Sequence, residues 1–203
     1  MTARRRSRPS RRQAAPRAAK RGLTSTPRRA GSVREAPIAT VAELMSYAYA
    51  MEAEAAERYA EFADAMEAHN NAEVAELFRK LARIEHLHGE QVLQAMGWAS
   101  PPAPRGEFRW LGTEAPESGD RSELHYLMHP YHALKIAHQN EQRAFDFFGH
   151  VARNAGSTAV RKAAAEIEEE EREHVRLIEE WLKRKPQPPA DWAFDPDPPA
   201  AVE

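Results

Sequence analysis

The chain contains no cysteine. That absence excludes a disulfide framework, a zinc site built on thiolates, an iron–sulfur centre and a thiol nucleophile. It suits a reducing compartment, and a cytoplasmic location is expected. Glycine is scarce, at 9 of 203 residues, while Ala and Glu are abundant, which favours helices over strands. No run of about 18 apolar residues occurs, so no transmembrane helix and no membrane partner are expected. The length suffices for one sizeable core, and one folded domain is expected.

Charge is unevenly placed. Residues 1–37 hold twelve Arg or Lys and a single acid, Glu35, for a net charge of +11, so the remainder carries −13. The basic segment has no apolar stretch of the kind a secretory leader needs. Its Arg, Ala, Pro and Ser content predicts a disordered tail, which could contact nucleic acid through phosphates. At the other end, residues 186–203 ("PQPPADWAFDPDPPAAVE") form a Pro-rich C-terminal tail.

Between the tails, over 38–185, four segments carry helical periodicity: 41–69, 72–96, 131–154 and 158–185. The turns "HNNAE" and "NAGS" are short, and Gly97 stops the second segment. The connection at about 97–130 is dense in Pro and Gly and assigns itself no motif. A short helical turn is expected in its "RSELHYLMHP", and Trp98, Phe108 and Trp110 are expected to cap a bundle. About 30 extended residues can outreach a 25-residue helix of ~37 Å. Short, long, short connections therefore predict an all-α four-helix bundle of ferritin-like topology, two antiparallel hairpins joined by a long crossover.

The inward stripes are not wholly apolar. The second helix reads Val74, Phe78, Leu81, Glu85, His88, Val92, and the fourth Val160, Ala164, Ile167, Glu171, His174, Ile178. Each breaks its hydrophobic face with E-x-x-H. The first helix places Glu52 before Ala55, Tyr59 and Phe62; the third places Glu141 before Ala144, Phe148 and Val151. The two halves of the chain thus repeat one pattern. Folding the hairpins together brings Glu52, Glu85, His88, Glu141, Glu171 and His174 to mid-bundle.

Four carboxylates in one core need compensation, since each buried ionised group costs several kcal/mol. Two divalent cations balance them, and two neutral imidazoles complete the donor set. Carboxylate oxygen with imidazole nitrogen suits iron, manganese or zinc.

These residues resemble the rubrerythrin family of ferritin-like di-iron carboxylate proteins. The similarity rests on "EAEAAERYAEFA", "FRKLARIEHLHGE", "NEQRAFDFF" and "EEREHV" and covers about 41–184. It implies two iron ions on those six residues, with Glu85 and Glu171 bridging. Tyr59 would stand beside them as a catalytic phenol whose hydroxyl could bond a ligand. Phe148 stands in its place in the second half. The resemblance implies an oxidoreductase of peroxidase or ferroxidase type, acting on hydrogen peroxide, dioxygen or Fe²⁺, and a homodimer. The alternative is an iron-binding, storage or delivery module.

Two departures qualify the resemblance. The family's Cys₄ rubredoxin domain has no counterpart here, so reduction would need an external electron donor. The family's additional third-helix glutamate is also missing: His138 precedes Glu141 by one turn and Ala144 follows it. His138 is expected partly exposed beside the site or at the surface, the alternative being an alternate ligand. His86 is expected on another face, and His125, His129 and His132 in structural roles, the alternative being an accessory metal site.

Overall fold

The computed structural model describes residues 38–102, 110, 115–117 and 121–197. The basic segment 1–37, Phe108 and residues 198–203 lie outside the described residues. The elements are α1 (Val41–Ala68), α2 (Ala72–Met96), a 3₁₀ turn (Arg121–Glu123), α3 (Pro130–Asn154) and α4 (Thr158–Lys183). Every helix end falls within two residues of its sequence expectation, and the short turn before α3 is present.

Local chemistry explains the boundaries. Thr40 caps α1 by accepting from the Glu43 amide, and Asn71 and Ser157 accept likewise from Val74 and Val160. Gly97 ends α2 at φ 64°, a left-handed conformation that glycine adopts without strain, and Trp98 N–H closes on Leu93 C=O. Pro130 opens α3, where its missing N–H loses no helical bond.

α1 packs along α2 and α3 along α4 as two hairpins. Asn71, in the first turn region, donates to the Tyr126 and Met128 carbonyls, tying that turn to the approach to α3. Across the hairpins, Tyr47 of α1 stacks on Phe147 of α3 at 5.9 Å, and Trp110 meets both rings edge-on. Lys80 of α2 lies 3.9 Å above the Trp181 ring of α4.

The core consists of two apolar clusters. One gathers Tyr59, Phe62, Phe78, Leu81, Leu134 and Ile178; the other Leu44, Met51, Phe147, Phe148, Val160 and Ile167. Along every helix the mid-stripe glutamate marks the boundary between them. Glu52 follows Met51 of one cluster and precedes Ala55 of the other; Glu141 lies between Ala137 and Ala144. A polar girdle therefore crosses the bundle at half height.

The residues after α4 return to the bundle. Trp192 contacts the rings of His132 and His125, and the Tyr126 hydroxyl donates to Asp195 at 2.6 Å. His132 Nδ1 accepts from the His129 amide and His125 Nδ1 from the Leu127 amide. These three histidines cap and pack, and none joins a potential metal cluster among the described residues.

Candidate metal centre

Within α2, the i to i+3 step places Glu85 and His88 side by side on the inner face, and α4 does the same for Glu171 and His174. His88 Nδ1 lies 3.2 Å from Glu85 Oε2 and 3.7 Å from Glu52 Oε2. His174 Nδ1 lies 3.2 Å from Glu171 Oε2 and 3.4 Å from Glu141 Oε2. The result is two matching triads, Glu52–Glu85–His88 and Glu141–Glu171–His174. In each, the three donor atoms lie within 4.8 Å of one another. The imidazole rings of the two triads stack across the hairpins at 4.4 Å. All six residues expected to meet at mid-bundle are brought together.

The four glutamates are buried, each 7% exposed or less. Glu52 Oε2 and Glu141 Oε2 have no hydrogen-bond partner, and an orphaned buried polar atom costs about 1–3 kcal/mol. A buried carboxylate oxygen with no hydrogen bond, set among other carboxylates and an imidazole nitrogen, is suited to a cation. The donor set therefore fits a pair of metal ions.

Protons offset the charge where cations do not. Burial, reinforced by the neighbouring Glu171 and Glu85, pushes the Glu52 carboxyl up to about 8, against the opposing pull of His88. Burial likewise pushes Glu141 up to about 7. For the imidazoles, burial acts downward but is outweighed by the flanking carboxylates. His88 is raised to about 10 by Glu52 and Glu85, and His174 to about 11 by Glu141 and Glu171.

A fifth carboxylate, absent from the sequence expectation, completes the interior. Glu117 of the crossover is 2% exposed and forms with Glu52 and Glu171 a third group whose oxygens lie within 4.8 Å of one another. Its Oε2 also lacks a hydrogen-bond partner. Burial and then the charges of Glu52, Glu141, Glu171 and Glu85 raise its pKa well above the ordinary carboxylate range.

Asn140, beside Glu141 and 1% exposed, organises this corner. Its amide donates to the Glu117 carbonyl at 2.8 Å and to the Tyr59 hydroxyl at 2.9 Å. Arg143 donates to Asn140 Oδ1 at 2.5 Å and to the Pro116 carbonyl at 2.6 Å. Tyr59 is buried, stacks on Phe78, and keeps its proton because burial raises its pKa. Its observed hydroxyl partner is Asn140.

A cavity of about 550 Å³ reaches the centre from the surface between α1, α2 and α4. Met45, Ala48, Val92 and Ile167 line its walls, Glu52, His88, Glu171 and His174 its floor, and the exposed Glu166 and Glu170 its mouth. His138 lies outside it, 3.5 Å from Glu179, and exposed His86 pairs with Glu90. Neither joins a potential metal cluster among the described residues.

Glu117, Asn140 and Arg143 escape sequence reasoning for identifiable reasons. Glu117 sits in "TEAPESGD", where no periodicity ties a residue to a face. The available signal was Asn140, a second polar residue directly beside the stripe position Glu141, with Arg143 one turn on.

A four-helix bundle with two E-x-x-H motifs and two further mid-helix glutamates defines the class of ferritin-like carboxylate proteins able to hold a metal pair. The Rubrerythrin family model matches residues 43–182, and the chain belongs to that family. It is also similar to the crystal structure of an uncharacterized conserved protein from Magnetospirillum magnetotacticum MS-1. That similarity has 38% identity and a TM-score of 0.53, and covers 74% of this chain and 98% of that one. No match is found among curated proteins. Among the described residues, no helix is long and apolar enough to cross a membrane.

Proposed function

We propose that this protein is a non-haem di-iron oxidoreductase that reacts with hydrogen peroxide or dioxygen, drawing electrons from an external donor or from Fe²⁺. The observation that carries the reading is the pair of matching Glu–Glu–His triads with unpartnered buried carboxylate oxygens. Glu52, Glu85 and His88 would hold one ion and Glu141, Glu171 and His174 the other. Two bound ferrous ions would supply the two electrons that, with two protons, reduce hydrogen peroxide to two waters.

The chain's own residues prepare that chemistry. The cavity admits a small oxidant to the floor formed by Glu52, His88, Glu171 and His174. The apolar clusters on either side exclude bulk water and strengthen every electrostatic contact at the girdle. The Tyr59 hydroxyl accepts from Asn140, and burial, reinforced by the charges of Glu85, Glu141 and Glu117, raises its pKa so that it keeps its proton. On this reading Tyr59 would give or hold a proton at the centre. No cysteine in this sequence can ligate an iron centre of the thiolate type, so the electrons would be drawn from an external donor.

Protein loaded anaerobically with about two Fe²⁺ per chain and mixed with peroxide tests the proposal by its optical change. Oxidation much faster than that of free Fe²⁺, lost in a Glu85→Ala/Glu171→Ala variant, supports it. Oxidation at the rate of free Fe²⁺ contradicts it.

One observation favours a second reading, iron uptake for storage or delivery: Glu166 and Glu170 give the cavity an acidic mouth suited to cation capture. Light scattering separates the two. A small oligomer such as the proposed homodimer fits a redox enzyme, and a closed shell fits storage.

A further inference from the structure

We propose that Glu117 is a seventh donor to the metal pair, delivered from the crossover and held in place by Asn140 and Arg143. The inference rests on the dinuclear reading above and adds a ligand that no helix supplies. Glu117 is the one buried carboxylate at the centre carried outside the four helices among the described residues.

Three observations carry it independently. The first is position. Glu117 groups with Glu52 of one triad and Glu171 of the other, so its carboxylate faces both halves of the site. The second is the state of its oxygen. Oε2 is buried without a hydrogen-bond donor, like the unpartnered oxygens of Glu52 and Glu141. A glutamate serving only to pack or cap would turn that oxygen to an N–H or O–H.

The third is how the backbone is held. Asn140 and Arg143 grip two consecutive carbonyls, Pro116 and Glu117, while Arg143 also anchors Asn140. Asn140 spends both amide hydrogens, one on Glu117 and one on Tyr59. The Glu117 backbone and the Tyr59 hydroxyl are thereby set by one side chain. Asn140 is a positioning residue, and a loop residue held at two points keeps the rigidity that a ligand needs.

The test is Co²⁺ titration of the full chain, followed by calorimetry and by visible ligand-field absorption. Glu117→Gln keeps the shape and removes the charge; Glu117→Leu is a second variant of similar volume. Both should fold, since each removes a carboxyl crowded by four others, and metal-free melting checks this. Wild type should take up about two Co²⁺ per chain. Both variants should bind at least one of them about tenfold more weakly. Their absorption should rise, since Co²⁺ absorbs more strongly as its coordination number falls. Asn140→Ala should weaken binding in the same direction, whereas Tyr59→Phe should not, which separates Glu117 positioning from the phenol. Unchanged affinity and unchanged spectra in both Glu117 variants, with wild type still binding two ions, would overturn this proposal alone. Failure of wild type to bind would overturn the dinuclear reading with it.

Discussion

His88 and His174 lie face to face, ring centroids 4.4 Å apart and planes within 4° of parallel, although they come from different hairpins. Each turns Nδ1 toward its own pair of glutamates. Without metal, the raised pKa values make both rings cationic at neutral pH. Two stacked cations repel, and only the surrounding carboxylates offset this. Cations bound among those carboxylates allow both rings to be neutral, and the stack then has no electrostatic penalty.

Metal binding should therefore expel protons. Glu52, Glu141, His88 and His174 all hold protons more tightly in the metal-free fold than in free solution, and each must lose its proton to ligate. Apparent affinity should rise steeply with pH between about 6 and 8. Calorimetry in buffers of different ionisation enthalpy should show several protons released per chain, and a buffer-independent heat would contradict this.

The same shifts set the pH dependence of metal-free stability. A folded pKa above the unfolded one means the native state holds more protons, so stability falls as pH rises. Glu52 contributes from its ordinary 4.5 up to about 8, and His88 from 6.5 up to about 10. Both act in the same direction. The melting temperature of chelated protein should decline from about pH 5 to pH 9. Metal-loaded protein should show a much flatter profile. A metal-free profile that rises across this range would be contrary to the account.

The helices and the six residues of the two triads were legible because a helix ties sequence spacing to a face. Glu85 to His88 is one helical step, and Leu81 and Val92 on the same stripe set which way that step points. Tyr59 and Phe148 followed from the repeat between hairpins. The crossover carries no such period, so nothing in "TEAPESGD" distinguishes the buried Glu117 from an exposed loop acid. Asn140 and Arg143 become meaningful only once that loop has a position. Trp192 lies in a Pro-rich segment whose sequence gives no hint of its contact with His132.

Tyr59→Phe isolates the phenol. It removes the acceptor of one Asn140 hydrogen bond, so stability should fall by about 1–3 kcal/mol. Metal stoichiometry should hold, because the hydroxyl is not among the six donors. Turnover with peroxide should slow by about 10²-fold if the proton at this position is used. Unaltered turnover would remove Tyr59 from the chemistry.

Phe78→Ala probes the support beneath the centre. Phe78 is fully buried against Tyr59 and Phe62, and the cavity left should destabilise the fold by about 3–5 kcal/mol in denaturant unfolding. The residual folded protein should still bind metal, more weakly because Tyr59 and α2 lose their packing. A loss below ~1 kcal/mol would mean that the site collapses around the cavity.

Metal content per chain tests the central claim most directly. It would be measured by mass spectrometry on protein purified without chelator or nickel affinity, beside Glu85→Ala/Glu171→Ala. The account predicts about two metal ions per chain, iron in the native preparation, and their loss in the variant. Wild-type protein that melts normally and carries no stoichiometric metal would contradict it, and the girdle would then be a proton-neutralised polar core.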